Sequence, residues 1–170
     1  MKKQIYKFSF PNFYYGFTLV ELLFTLVIIA ILISIAVGFY KQYIIKVENS
    51  KAIYDLRNLI NAEIAYFAKN LSFVAFSIEN IQSNGSIIKG NFFFKGLSQG
   101  VLAVAKTSAN KNYLNICTKS IYGNKIYCYE SEKDTIFYKI SSVGKNLTNV
   151  DCPNATKNFD CKPPIWQPLH

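Results

Sequence analysis

Apolar residues in this chain gather at one end. From Leu22 to Tyr40, 19 consecutive residues carry no charge, close to the roughly 20 that a helix needs to span a bilayer. Beyond Lys41 the pattern becomes a helical stripe. Ile53, Leu56, Ile60, Ile64, Phe67 and Leu71 recur at steps of three and four, with Lys51, Asp55 and Asn58 elsewhere on the wheel. No proline interrupts residues 17–70, so one long helix is predicted, apolar all round over 17–40 and amphipathic over 41–71. Residues 72–170 read as a β-rich head. Within them, 72–100 are rich in Ser, Asn and Gly and predict a loop with short strands. Asn91-Phe92-Phe93-Phe94 is expected there as a strand or a core plug. Strands follow at 101–105, 113–118, 125–130 and 136–140, and Tyr122-Gly123-Asn124 is the turn of a hairpin between the second and third. After Gly144 the chain is irregular, with Pro153, Pro163, Pro164 and Pro168.

Composition narrows the class. A length of 170 residues fits one modest domain with an appendage. The 14 Phe, 12 Tyr and single Trp demand a packed core and exclude a disordered chain. No second stretch reaches bilayer length, which excludes a polytopic membrane protein. The net charge of +9 includes Lys2, Lys3 and Lys7 ahead of the apolar run, unopposed by any acid. The other cations are scattered lysines plus Arg57, the one guanidinium suited to bidentate phosphate contacts. Scattered lysines make a solvated face, and DNA as a partner has no support beyond that charge.

A short basic region before an apolar run is a membrane-targeting pattern, with the lysines kept in the cytoplasm. It has three readings: a secretory signal cut near Ala36-Val37-Gly38, an uncleaved anchor, or a segment processed near Gly16. The third comes from Gly16-Phe17-Thr18-Leu19-Val20-Glu21-Leu22-Leu23. A carboxylate at the start of a membrane run is costly and marks a partner; a secretory signal has no need of it. A cut between Gly16 and Phe17 would set a new ammonium one helical turn from Glu21, and two such charges offset each other's burial.

This string resembles the class III signal of the type IV pilin family, which includes the pseudopilins of type II secretion. The resemblance covers eight residues of motif and extends along the apolar helix to about Tyr40. It implies residues 1–16 as a cytoplasmic leader, cleavage after Gly16, N-methylation of Phe17, and assembly through Glu21 and Phe17 of neighbouring subunits. Two positions depart from the family pattern: Tyr15 stands where many members carry a cation, and Gly38 where many pilins carry a proline. The implied fold is α+β, a long N-terminal helix packed on a small antiparallel sheet with a disulfide-closed C-terminal loop. The implied function is a structural subunit of a pilus-like filament, with no enzyme activity, cofactor or metal. A type II secretion pseudopilin or a minor pilin is the alternative, and a secreted or singly anchored binding protein the more distant one. Implied partners are further copies and related pilins, the prepilin peptidase and methyltransferase, an inner-membrane assembly platform, and lipid before assembly. The head would face the periplasm, and the mature subunit would enter an extracellular pilus or a periplasmic pseudopilus.

Cys117, Cys128, Cys152 and Cys161 all lie beyond the apolar run, an even count that suggests disulfides in an oxidising compartment. Three pairings are possible. Neighbour pairing, Cys117–Cys128 with Cys152–Cys161, is the simplest and closes two short loops, each worth about 3 kcal/mol in the chain-entropy model. Zinc is disfavoured, since there is no CxxC pair and His170 is the only histidine. Other signals are weaker still. Gly96-Leu97-Ser98-Gln99-Gly100 fits the nucleophile-elbow spelling, but the fold pattern that such an elbow needs is missing. Asp134, Asp151 and Asp160 offer oxygen atoms for calcium without an EF-hand spacing, and such acids are ordinary in turns. Aromatics along the helix are explained by interface belts and core packing. Four Asn-X-Ser/Thr triplets, beginning at Asn70, Asn84, Asn146 and Asn154, match the glycosylation acceptor pattern, which is short.

Overall fold

A computed structural model describes residues 16–169. The leader up to Tyr15 and His170 lie outside the described residues. The chain divides after Phe39 into two compact units.

One helix, α1, runs Leu19–Asn70. Gly38 lies inside it and remains helical. The helix ends at Leu71, which turns into the left-handed region (φ 53°) while its N–H still reaches the Phe67 carbonyl at 2.8 Å. That is a helix stop of the kind glycine usually supplies. Phe67 then stacks on Phe73 with ring centres 4.4 Å apart, turning the chain back along the helix.

Antiparallel β-structure follows, with a short 3-10 turn at Ile78–Asn80 and an irregular segment between the last two strands. A two-stranded hairpin pairs β1 (Ser86–Lys89) with β2 (Phe92–Lys95). A five-stranded meander follows in the order β3 (Val101–Thr107), β4 (Leu114–Ser120), β5 (Lys125–Glu130), β6 (Thr135–Ile140) and β7 (Gln167–Pro168). Strands 101–105, 113–118, 125–130 and 136–140 are therefore found within a residue or two of their expected places. The Phe92-Phe93-Phe94 run is a strand and not a plug. Phe92 and Phe94 are buried and Phe93 points out, as the two-residue period of a strand requires.

Both faces of the large sheet are covered, and β4 is buried at every position. Its residues Leu114, Ile116, Thr118 and Ser120 alternate with Asn115, Cys117 and Lys119. The first set faces α1, where Ala52, Leu56 and Leu59 pack with Phe76, Ile87, Phe92, Ala103, Leu114, Ile116 and Tyr127. Cys117 lies on the opposite face, where Val104, Ile126, Cys128 and Phe137 are covered by Leu147, Cys152, Cys161 and Trp166 of the irregular C-terminal segment. A strand covered on both sides must satisfy its polar side chains internally. Lys119 does so by donating to the carbonyls of Ser120, Gly123 and Lys145 at 3.2, 3.3 and 2.5 Å, and burial pushes its ammonium below the usual lysine range.

The buried face of α1 differs from the predicted apolar stripe. Ile64 is half exposed and Leu71 is 76% exposed, whereas Glu48, Asn49, Asp55 and Glu63 are buried beside Ala52, Leu56 and Leu59. The reason is specific bonding. Glu48 accepts from the Ser120 hydroxyl at 2.6 Å, and Asp55 accepts the Ser98 backbone N–H at 2.7 Å and its hydroxyl at 3.1 Å. Glu63 accepts the Val74 N–H at 3.1 Å. Asn49 donates to Asn124 Oδ1 at 2.8 Å and accepts the Asn124 N–H at 3.1 Å. The expected turn at Tyr122-Gly123-Asn124 is thus pressed against the helix. A Cβ at Gly123 would stand 2.6 Å from Asn49 Oδ1, so only glycine fits there.

Candidate processing and assembly site

The Gly16–Phe17 junction sits just ahead of α1, in an extended, exposed stretch of chain. A Cβ built on Gly16 would meet nothing within 4 Å. The fold therefore does not require glycine at this position.

Thr18 starts the helix, its carbonyl accepting the Leu22 N–H at 3.2 Å. Its backbone N–H and hydroxyl both donate to Glu21 Oε2, at 3.0 and 2.8 Å, and the Glu21 N–H donates back to Thr18 Oγ1 at 3.2 Å. This is a reciprocal capping box, which satisfies helix-end donors and holds the carboxylate at the same time. Thr18 is the residue that the sequence reading missed. Its signal, Thr-x-x-Glu immediately before an apolar run, was present. Glu21 is thus engaged by Thr18 in this structure.

From Phe17 to Phe39 the chain offers a surface that is apolar but for Glu21 and three hydroxyls, with sixteen large apolar side chains at least half exposed. Its most apolar 18-residue window has a mean hydropathy of 3.0. The hydroxyls within it are turned onto the helix backbone, Thr25 to the Leu22 carbonyl at 2.8 Å and Ser34 to the Ile31 carbonyl at 2.7 Å, as an apolar medium demands. By length and composition this helix can cross a membrane.

The cysteines depart from the expected pairing. Cys117 is bonded to Cys152, with Cα atoms 5.5 Å apart, while Cys128 and Cys161 are unbonded and buried. Counting loop lengths favoured Cys117–Cys128. Those two residues are direct partners across β4 and β5 and their sulfurs lie 2.8 Å apart, yet the bond goes to Cys152 instead. The C-terminal segment lies over that face and brings Cys152 to Cys117. With Cys152 taken, a Cys152–Cys161 bond is excluded too.

The remaining candidates settle into structural roles. Ser98 is committed to Asp55, which burial raises above the usual aspartate range against the opposing pull of Ser98. Asp134 accepts from the Tyr129 hydroxyl at 3.1 Å, and Asp151 holds Thr148 through its N–H and hydroxyl at 3.0 and 2.6 Å. Asp160 lies with Glu130 and Glu132, their oxygens within 4.8 Å of one another. It accepts the Thr156 N–H at 2.8 Å, and Glu130 accepts the Asp160 N–H at 2.6 Å. The three aspartates predicted as a possible calcium set thus serve separate turns.

Residues 12–37 match the family model for the prokaryotic N-terminal methylation motif, which is the class III prepilin signal of type IV pilins and pseudopilins. The match takes in Gly16, Phe17 and Glu21 and most of the apolar run. A comparison with curated proteins gives no match.

Proposed function

We propose that this chain is a prepilin, a structural subunit of a type IV pilus-like filament. It is cleaved between Gly16 and Phe17, methylated on the new Phe17 amine, and polymerised through its N-terminal helix. The observation that carries this reading is the junction itself: an exposed glycine directly ahead of a capped helix whose first half is predominantly apolar, inside the matched methylation motif.

The physical argument runs through solvation. Sixteen large apolar side chains cannot face water, since burying each is worth about 1.5–3 kcal/mol and the remaining exposure sums to tens of kcal/mol. The helix therefore stays in lipid until another apolar surface replaces it, and copies of the same helix supply that surface. Cleavage supports the exchange by creating a cation at Phe17 for a neighbour's Glu21, so that neither charge enters the filament core alone. The peptidase and methyltransferase act from the cytoplasmic side, and an inner-membrane platform passes subunits out of the bilayer. The head lies in the periplasm beforehand and outside the cell afterwards. The disulfide-tied C-terminal segment favours a pilus subunit over a secretion pseudopilin.

The test is mass spectrometry of the N-terminal peptide from the chain recovered from its own cells. A methylated Phe17 start is expected, and a bulky residue at Gly16 should abolish it. A start at Phe39 or an intact Met1 would refute the proposal.

A further inference from the structure

The unbonded cysteines lie beside the Cys117–Cys152 bond and at matching positions. Cys117 on β4 and Cys128 on β5 are register partners, and so are Asn115 and Glu130, two residues further along. All four side chains rise from the sheet face that the C-terminal segment covers, and all four residues are fully buried. The segment is gripped at two points by the Asn115–Glu130 pair. Asn115 Nδ2 donates to the carbonyls of Pro153 and Asn154 at 3.4 and 3.2 Å, just past Cys152, and to Asp160 Oδ2 at 3.2 Å. Glu130 accepts the Asp160 N–H at 2.6 Å and the Cys161 N–H at 3.4 Å, just where the segment reaches its second cysteine. Residues 153–160 are thereby held as a loop that leaves β4 at Cys152 and arrives over β5 at Cys161. Cys161 enters there the same fully buried cluster as Cys128, whose own sulfur lies 2.8 Å from the Cys117 sulfur of the existing bond.

We propose that Cys128 and Cys161 form a second disulfide beside Cys117–Cys152, so that adjacent strands of the sheet are each stapled to the C-terminal segment. The two thiols lose two protons and two electrons as the Sγ–Sγ bond forms. The acceptor is a protein disulfide of the oxidising compartment, itself reduced to a dithiol. In the closed fold the thiols are fully buried in one cluster with Trp166 and Phe137, and burial pushes the Cys128 thiol well above the usual cysteine range, which keeps it unreactive. Oxidation therefore takes place before the segment closes, while the chain is folding outside the cytoplasm. Once both bonds exist, loop 153–160 is covalently anchored at each end, with Asn154, Thr156, Lys157 and Asn158 displayed to solvent between the anchors. The inference is independent of cleavage at Gly16 and needs only that the head meets an oxidising compartment.

The experiment is non-reducing peptide mapping of the full chain, extracted from membranes or filaments and alkylated in denaturant without reductant. Trypsin places the four cysteines in separate peptides, 112–119, 126–133, 146–157 and 158–170. The expected result is two linked pairs, 112–119 with 146–157 and 126–133 with 158–170, and an intact mass four hydrogens below the reduced chain. Alkylated Cys128 and Cys161 would overturn the proposal. So would links joining 112–119 to 126–133, or four alkylated cysteines together with one equivalent of zinc released on denaturation. The variant Cys161→Ser gives a second reading. It should expose one titratable thiol per chain in denaturant, traceable to Cys128, with the 112–119/146–157 link intact. A Cys161→Ser chain with no free thiol would also overturn it.

Discussion

Replacing Glu63 with glutamine should remove most of a pH dependence from the stability of the head. Glu63 is fully buried on α1, with Oε2 bound to the Val74 N–H and Oε1 without a partner. Burial raises its carboxyl from the ordinary 4.5 to about 7, with the Val74 bond pulling the other way. The sign follows from proton counts. Between those two values the folded chain binds the proton that the unfolded chain has released, so stability is highest below about 4.5 and falls as pH rises toward 7. At 1.36 kcal/mol per pH unit, the full loss is about 3 kcal/mol. Glutamine keeps an acceptor for Val74 but puts an amide NH2 where Oε1 had no partner, a pH-independent cost of about 1 kcal/mol. Glu63→Gln should therefore be slightly less stable than the parent near pH 4.5 and about 2 kcal/mol more stable at pH 8. Asp55 is raised in the same direction, but it is common to both chains and cancels in the difference. The assay is urea unfolding of the full chain in detergent at several pH values, read by fluorescence of Trp166, the single tryptophan and a buried one. Parallel stability–pH curves for parent and variant would refute the reasoning.

Other outcomes test other parts of the structure. Glu21→Ala should leave cleavage after Gly16 intact and block filament assembly. Thr18→Val removes the capping box at a cost of about 1 kcal/mol to the helix start, and Thr18→Ser should restore it; electron microscopy and N-terminal mass spectrometry separate the two effects, and normal filaments from Glu21→Ala would refute the pairing of Glu21 with Phe17. Leu71→Gly should stabilise the head by about 0.5–1 kcal/mol, because the left-handed residue no longer carries a Cβ and its exposed side chain gives up little packing; an unchanged or lower thermal midpoint would count against it. Lys119→Met should destabilise by about 2–3 kcal/mol, since three buried carbonyls lose their donor; a urea midpoint equal to the parent's would be the contrary result. A double-mutant cycle of Glu48→Ala with Ser120→Ala should show a coupling of about 1.5–3 kcal/mol, the worth of a charged hydrogen bond; a coupling near zero would remove the polar seam from the account.

How much of this was legible in the sequence depended on the range of the interactions involved. The apolar helix, the strand positions and the Gly123 turn rest on local periodicity and turn chemistry, and those signals extend over a few residues. The motif at Gly16–Glu21 is local as well. The capping partner of Glu21 was legible in principle, because Thr18 lies three residues away. The buried face of α1 was not. Asp55 reads as a solvated residue until Ser98, 43 positions later, arrives beside it, and hydrophobicity alone placed Ile64 and Leu71 inside in its stead. The cysteine pairing failed for the same reason. Loop entropy favours near neighbours only weakly, whereas the pairing was decided by which face of β4 the C-terminal segment covers.

That polar seam bears on how the head is built. Ala52, Leu56 and Leu59 alone would let a helix slide along a sheet, since apolar contact is non-directional and tolerates small shifts of register. Glu48, Asn49, Asp55 and Glu63 remove that freedom. Their partners are the end of β4, the β4–β5 turn, the segment before β3 and the chain just past the helix. A slip of one helical turn would break all four contacts together and leave Asp55 and Glu63 buried without donors, each costing several kcal/mol if charged, while Glu48 would keep only Lys51 of its own helix. The seam is therefore worth more as a penalty on wrong registers than as a net gain in the right one, and Glu63, with one oxygen unpaired, even costs stability at neutral pH. The filament subunit proposed above would gain from such a device. Its membrane half is bound by contacts that specify position poorly, so the surface presented to neighbouring copies is defined only if the head fixes its own register on the helix, and polar groups that are costly to misplace do so where more leucines would not.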